Sequence, residues 1–198
     1  MDVQKKVTYC RLCKSEINTF PVFSMGPFPK AAQYYPDLNE FEMDEGVTLY
    51  IYRCPKCDLL QLYGKPVPYY KEVITAALSS PEARMSRLKE ISSFSKRFGL
   101  IGKNAIEIGS GKGGIVDIMA EAGLNSVGLE FSHKSVKYAR SQNINVINGY
   151  LDDLDESHNC KYDAFISLNY IEHQPDIQSF INSLLRITTE GAVGYITA

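Results

Sequence analysis

The stretch Ala105-Ile106-Glu107-Ile108-Gly109-Ser110-Gly111-Lys112-Gly113-Gly114 decides how this chain is read. Its first four residues form a short apolar run holding one carboxylate, and its end is a glycine turn. Ile115, Val116, Ile118, Met119 and Ala122 then recur at helical spacing and stop at Gly123, so strand, turn and helix follow one another. Gly109 and Gly111 permit positive φ and put no Cβ in the way of a bound molecule, while the helix start offers unpaired N–H groups. The pattern predicts a ligand cradle.

Two cofactor patterns fit these letters. Gly109, Gly111 and Gly114 satisfy the dinucleotide fingerprint, with Glu130 ~20 residues further on for ribose hydroxyls. Gly109, Gly111 and Gly113, preceded by Glu107, equally satisfy E-x-G-x-G-x-G, the first motif of class I S-adenosylmethionine methyltransferases. Glu107 favours the second pattern. A carboxylate two residues before the first glycine has no use in a dinucleotide strand, whereas it suits a cofactor carrying a sulfonium and an ammonium group. Ser110, inside the turn, joins the predicted cofactor set.

Working outward, the residues after Lys103 alternate strand and helix. Strands are predicted at 104–108, 126–130, 145–147, 164–168 and 192–197, and helices at 113–122, 132–142 and 177–187. This is an α/β pattern, a parallel sheet covered on both faces, and ligands bind at the carboxyl ends of such strands. There Glu130 is placed to accept from both ribose hydroxyls of an adenosine. Tyr150, Leu151 and Asp152 are placed to flank the adenine, although a surface turn has the same sequence signature. The fourth strand runs into Asn169-Tyr170-Ile171-Glu172-His173, a polar cluster expected to face the cofactor. His173 has the intrinsic pKa of a general base near neutrality. His133 and His158 have no comparable setting.

Ahead of this region, residues 71–99 read as a linker and connecting helix, with Ser80 as N-cap, Pro81 at the first helical position, and Met85, Leu88, Ile91 and Phe98 on one apolar face. Residues 1–70 contain Cys10-Arg11-Leu12-Cys13 and Cys54-Pro55-Lys56-Cys57. Two such knuckles complete a tetrahedral Cys₄ shell for a structural Zn²⁺, with no open position for catalysis. A redox C-x-x-C would open a helix instead. The second knuckle caps a predicted β-hairpin, as in a zinc ribbon. Phe20 to Pro36, dense in proline and aromatics, predicts an irregular loop, either packed beneath the metal hairpin or lining a substrate cleft. Cys160 is left over as an ordinary thiol.

The 198 residues carry 21 Lys and Arg against 23 Asp and Glu, so no basic field invites nucleic acid. No run approaches the ~18 apolar residues of a membrane span, and the start of the chain has no apolar leader segment. Four paired cysteines suit a metal in a reducing compartment. These features predict a cytoplasmic protein acting on a small molecule.

The two cysteine pairs, the Glu107 to Gly113 motif, Gly128-Leu129-Glu130 and Asn169-Tyr170-Ile171-Glu172-His173-Gln174-Pro175-Asp176 together resemble the zinc-containing sugar C-methyltransferases. The resemblance covers nearly the whole chain. It implies a class I methyltransferase fold in residues 100–198, here partial, behind a zinc-ribbon-like β domain in residues 1–70. It also implies S-adenosylmethionine as cofactor and a nucleotide-linked keto-deoxysugar as substrate. By the same resemblance His173 stands at the base position, beside Glu172, and a substrate-side tyrosine falls at Tyr69 or Tyr70, with Tyr70 the catalytic candidate. Glu107, Gly109, Ser110, Gly111, Gly113, Glu130, Tyr150 and Asn169 form the cofactor set. Members of that family continue further, so the strand ending at Thr197-Ala198 is expected to leave a sheet edge open to association. O- or N-methylation of a small molecule, a non-catalytic zinc-ribbon module and a dinucleotide oxidoreductase remain as alternatives.

Overall fold

The structure is a computed structural model that describes residues 6–29, 37–40, 42, 46–64, 80–154 and 161–198. It divides into two compact units, Met1–Val67 and Pro68–Ala198. Tyr69, Tyr70, His158 and Cys160 lie outside the described residues.

In the first unit β1 (Lys6–Tyr9) pairs antiparallel with β2 (Glu16–Thr19), and β3 (Phe23–Phe28), β4 (Val47–Arg53) and β5 (Leu60–Leu62) form an antiparallel sheet in that order. Each Cys-x-x-Cys is the turn of a hairpin. Ile17, Tyr52, Cys10 and Cys54 are fully buried and make up its small core. The expectation of an irregular loop after Phe20 is corrected, because Phe23–Phe28 is a strand. It takes the outer edge, where the missing N–H of Pro27 breaks no ladder, and the pairing is irregular between Met25 and Phe28. Nor does it pack beneath the metal hairpin, since every residue of β3 is exposed.

In the second unit helix α1 (Pro81–Arg97) starts on Ser80, whose Oγ accepts the Ala83 N–H at 3.1 Å. Then come β6 (Asn104–Ile108), α2 (Gly114–Glu121), β7 (Asn125–Glu130), α3 (His133–Ser141), β8 (Val146–Asn148), β9 (Tyr162–Leu168), α4 (Ile177–Ile187) and β10 (Thr188–Thr197). The five strands are all parallel, in the order β10-β9-β6-β7-β8. Strand order therefore reverses at β6, and the carboxyl ends of β6, β7 and β9 frame the cleft where such sheets bind ligands.

Both sheet faces are covered by apolar side chains. Ala105, Ala164 and Ile166 pack with Ile91 and Phe94 of α1 and Ile118 and Met119 of α2, while Ile106, Ile108 and Leu129 pack with Phe180, Leu184 and Ile187 of α4. This explains the near-continuous apolar strands of the sequence. Met85 and Phe98, assigned to the buried face of α1, are 58% and 46% exposed, and Phe94 and Ser95 take the buried positions instead. β10 begins directly after α4 and has β9 as its one strand neighbour among the described residues. No described helix is long and apolar enough to cross a membrane.

Candidate functional site

The glycine turn leaves β6 with Gly109 at φ +76°, Gly111 at +52° and Gly113 at +83°, all in the left-handed region that favours glycine. The turn is fixed from the neighbouring strand, because the N–H groups of Gly109 and Ser110 both donate to the Leu129 carbonyl, at 2.9 and 3.0 Å. Glu130, at the end of β7, completes the hold. Its Oε2 accepts the Gly111 N–H at 2.8 Å and its Oε1 accepts the Ser132 N–H at 2.7 Å. Sequence reasoning placed Glu130 at the cleft without foreseeing this clasp. A carboxylate has about four acceptor positions, so two remain for further donors.

Glu107 is buried inside β6, and its Oε2 has no hydrogen-bond partner. Burial first, then the nearby charge of Glu130, pushes its carboxyl up to about 8, although the Val116 backbone amide works in the opposite direction. A buried carboxyl with an unsatisfied oxygen beside a glycine turn fits a cationic ligand group, which would restore its charge. Ser110 is buried too, its Oγ also unpartnered and set against Gly128, where a Cβ would lie 2.4 Å from it. Gly113 serves packing. It is the N-cap of α2, and a Cβ there would lie 2.8 Å from Ile144.

Across the cleft, Tyr150 is buried, its hydroxyl donating to Gln174 Oε1 at 2.5 Å and its ring edge-on to Phe131 at 6.4 Å. Leu151 and Asp152 are corrected away from an adenine-flanking role. Leu151 is core, and Asp152 Oδ1 accepts from Ser183 Oγ of α4 at 2.7 Å. Asn169 is exposed at φ +49°, held by its N–H to the Thr197 carbonyl and by Thr197 Oγ1 donating to its Oδ1. Glu172 and His173 are exposed on a single 3₁₀ turn, Ile171–His173, at the end of β9. Two residues that sequence reasoning did not place at the cofactor, Phe131, 37% exposed directly after Glu130, and buried Gln174, complete this wall together with Tyr170 of the expected polar cluster. Burial pushes the Tyr170 phenol up to about 12, against hydrogen bonds to Tyr150 and Gln174. An aromatic directly following an acidic strand end was the available signal for Phe131.

In the first unit the four sulfurs of Cys10, Cys13, Cys54 and Cys57 lie within 4.8 Å of one another, with Cys10–Cys57 at 3.6 Å and Cys13–Cys54 at 3.5 Å. Tetrahedral zinc, at about 2.3 Å from each sulfur, sets them ~3.8 Å apart. The two knuckles repeat one backbone design. Lys14 N–H donates to Cys10 O and Asp58 N–H to Cys54 O, and both residues take positive φ. Four sulfurs this close cannot all be thiolates without a cation. Ser15 lowers the Cys13 thiol to about 6, whereas Cys57, despite a lowering backbone bond at Leu59, is pushed up to about 12 by burial and the other sulfurs. Buried Gln61 links the hairpins, its Nε2 donating to Tyr9 O at 3.0 Å and its Oε1 accepting from Arg11 N–H at 2.9 Å.

Residues 106–196 match the family model described as a methyltransferase domain, and the sheet order and glycine turn around them are those of the class I S-adenosylmethionine-dependent methyltransferases. The second unit has the fold of that class. The plantazolicin methyltransferase BpumL, solved with S-adenosylhomocysteine, is similar in fold, with a TM-score of 0.50 and 19% identity over 58% of this chain and 48% of its own. Among curated proteins, the ubiquinone biosynthesis O-methyltransferases of Klebsiella pneumoniae and Proteus mirabilis are 28% and 27% identical over 99 residues, 47% of this chain. The chain spans 41% and 40% of the length of those two relatives.

Proposed function

We propose that this chain is an S-adenosylmethionine-dependent methyltransferase that methylates a carbon of a nucleotide-linked keto-deoxysugar, with a structural zinc in its first unit. The cofactor assignment rests on one observation above the others: the partnerless oxygen of buried Glu107 beside the Gly109 turn. S-adenosylmethionine, when bound, supplies an electrophilic methyl group on a cationic sulfur. Glu107 balances that cationic end, Gly109 and Gly111 let the backbone approach, and Glu130 accepts from the ribose while keeping its clasp on Gly111 and Ser132. Ser110, Tyr150 and Asn169 border the same cleft.

His173 removes the proton next to the sugar ketone, leaving an enolate whose carbon is the acceptor, and Glu172 beside it favours the imidazolium that results. Tyr70 contributes from the substrate side. Cys10, Cys13, Cys54 and Cys57 hold the zinc, and a reducing cytoplasm suits their unbridged thiols. The carbon acceptor is supported by the resemblance of the combined cysteine and cofactor motifs. Methylation of oxygen is the second reading, favoured by the names of the curated relatives.

Calorimetry with S-adenosylhomocysteine, with NAD as control, tests the cofactor. The acceptor is tested by incubating a panel of nucleotide-linked keto-deoxysugars with the protein in deuterium oxide. Deuterium entering beside the ketone with wild type, and not with His173→Ala, supports carbon methylation. Methyl transfer to an oxygen without exchange overturns it in favour of the second reading.

A further inference from the structure

The side chain most tightly set against the glycine turn comes from β9's end, not from the turn itself. A Cβ on Gly109 would lie 2.5 Å from Tyr170 Cδ2 and 2.9 Å from Cε2, so the aromatic ring covers the α-carbon of the first motif glycine. That ring is anchored elsewhere. It packs on Phe180 at 6.0 Å and belongs to the core beneath α4, and its hydroxyl bonds Tyr150 and Gln174, which are themselves joined at 2.5 Å. Rotating it out of the cleft would break these contacts together, so it is a fixed wall and not a swinging plug. Tyr170 also opens the turn that carries His173, since its carbonyl accepts the His173 N–H at 3.1 Å.

We propose that Tyr170 is a positioning residue: its ring forms the wall of the cofactor cleft at Gly109 and couples cofactor occupancy to the placement of the His173 turn. This rests on the methyltransferase reading above. A molecule entering at Gly109 must lie against this fixed ring, whose own backbone carbonyl holds the His173 turn.

The chain has three histidines, so long-range proton–nitrogen NMR of the imidazoles, assigned with single His→Gln variants, reads His173 directly. In wild type and Tyr170→Phe, titration with S-adenosylhomocysteine should shift the His173 signals in step with saturation measured by calorimetry. In Tyr170→Ala the affinity should fall about tenfold and the His173 response should vanish. Tyr170→Leu, which refills the core but lacks the ring, should behave as the alanine variant does and serves if alanine does not fold. Wild-type binding without a His173 response, or binding by the leucine variant as tight as wild type or tighter, overturns the proposal. If wild type binds no S-adenosylhomocysteine, the methyltransferase reading itself fails.

Discussion

Replacing Glu107 by Gln should stabilise the second unit at alkaline pH and weaken its binding of S-adenosylhomocysteine. The carboxyl is raised from 4.5 to about 8. Its folded value thus exceeds its unfolded one, so the folded state keeps a proton that the unfolded chain releases. Nothing is lost below about pH 4.5, stability declines as pH rises through the window up to 8, and the loss is complete above it. At 1.36 kcal/mol per pH unit this amounts to about 3 kcal/mol at pH 7 and about 5 kcal/mol at pH 9. Glutamine carries no charge and has no such slope, although an unpartnered amide in place of Oε2 costs ~1–3 kcal/mol at every pH. The variant should therefore match or trail wild type at pH 5 and exceed it at pH 9. Urea unfolding at pH 5, 7 and 9, followed by helical circular dichroism, measures this, because α1 to α4, the α-helices of the described residues, all belong to the second unit. A stability difference that stays constant between pH 5 and 9 would refute the burial of a titrating carboxyl.

Three further outcomes are expected. Cys54→Ser should abolish stoichiometric zinc, read by colorimetric release, and make the first unit sensitive to protease, since apparent zinc binding of ~10–16 kcal/mol is lost from a unit with a very small core. Gly109→Ala should cost on the order of 1–3 kcal/mol in urea unfolding, because alanine at φ +76° is strained and its methyl meets the Tyr170 ring. By contrast, Arg84→Ala removes ion pairs to Asp117 and Glu121 that are partly exposed, and should shift the same unfolding curve by less than about 1 kcal/mol.

Much of the fold was legible because its signals are local. Asn104–Ile108 and Ile177–Ile187 fall where the predicted strand and helix lie, since a buried parallel strand is an apolar run and α4 has its period and its Asp176 cap, which accepts the Ser179 N–H at 3.0 Å. The strand at Phe23–Phe28 was missed because proline and glycine argue against strands in general, yet an edge tolerates them. Asp152 was misplaced for a related reason. A polar residue after a strand end can turn toward the ligand or toward the next helix, and only the position of Ser183 decides which.

By itself the sequence determined the two Cys-x-x-Cys hairpin turns and the strand, glycine turn and helix of Asn104 to Glu121. These are properties of residues adjacent in the chain, where spacing alone limits what the backbone can do. Tertiary structure decided that Glu107 is buried with an oxygen left unpartnered, that Glu130 clasps Gly111 and Ser132, and that Tyr170 lies on Gly109. Those contacts join residues from different strands, and they exist only once parallel pairing has set β9, β6 and β7 side by side in register.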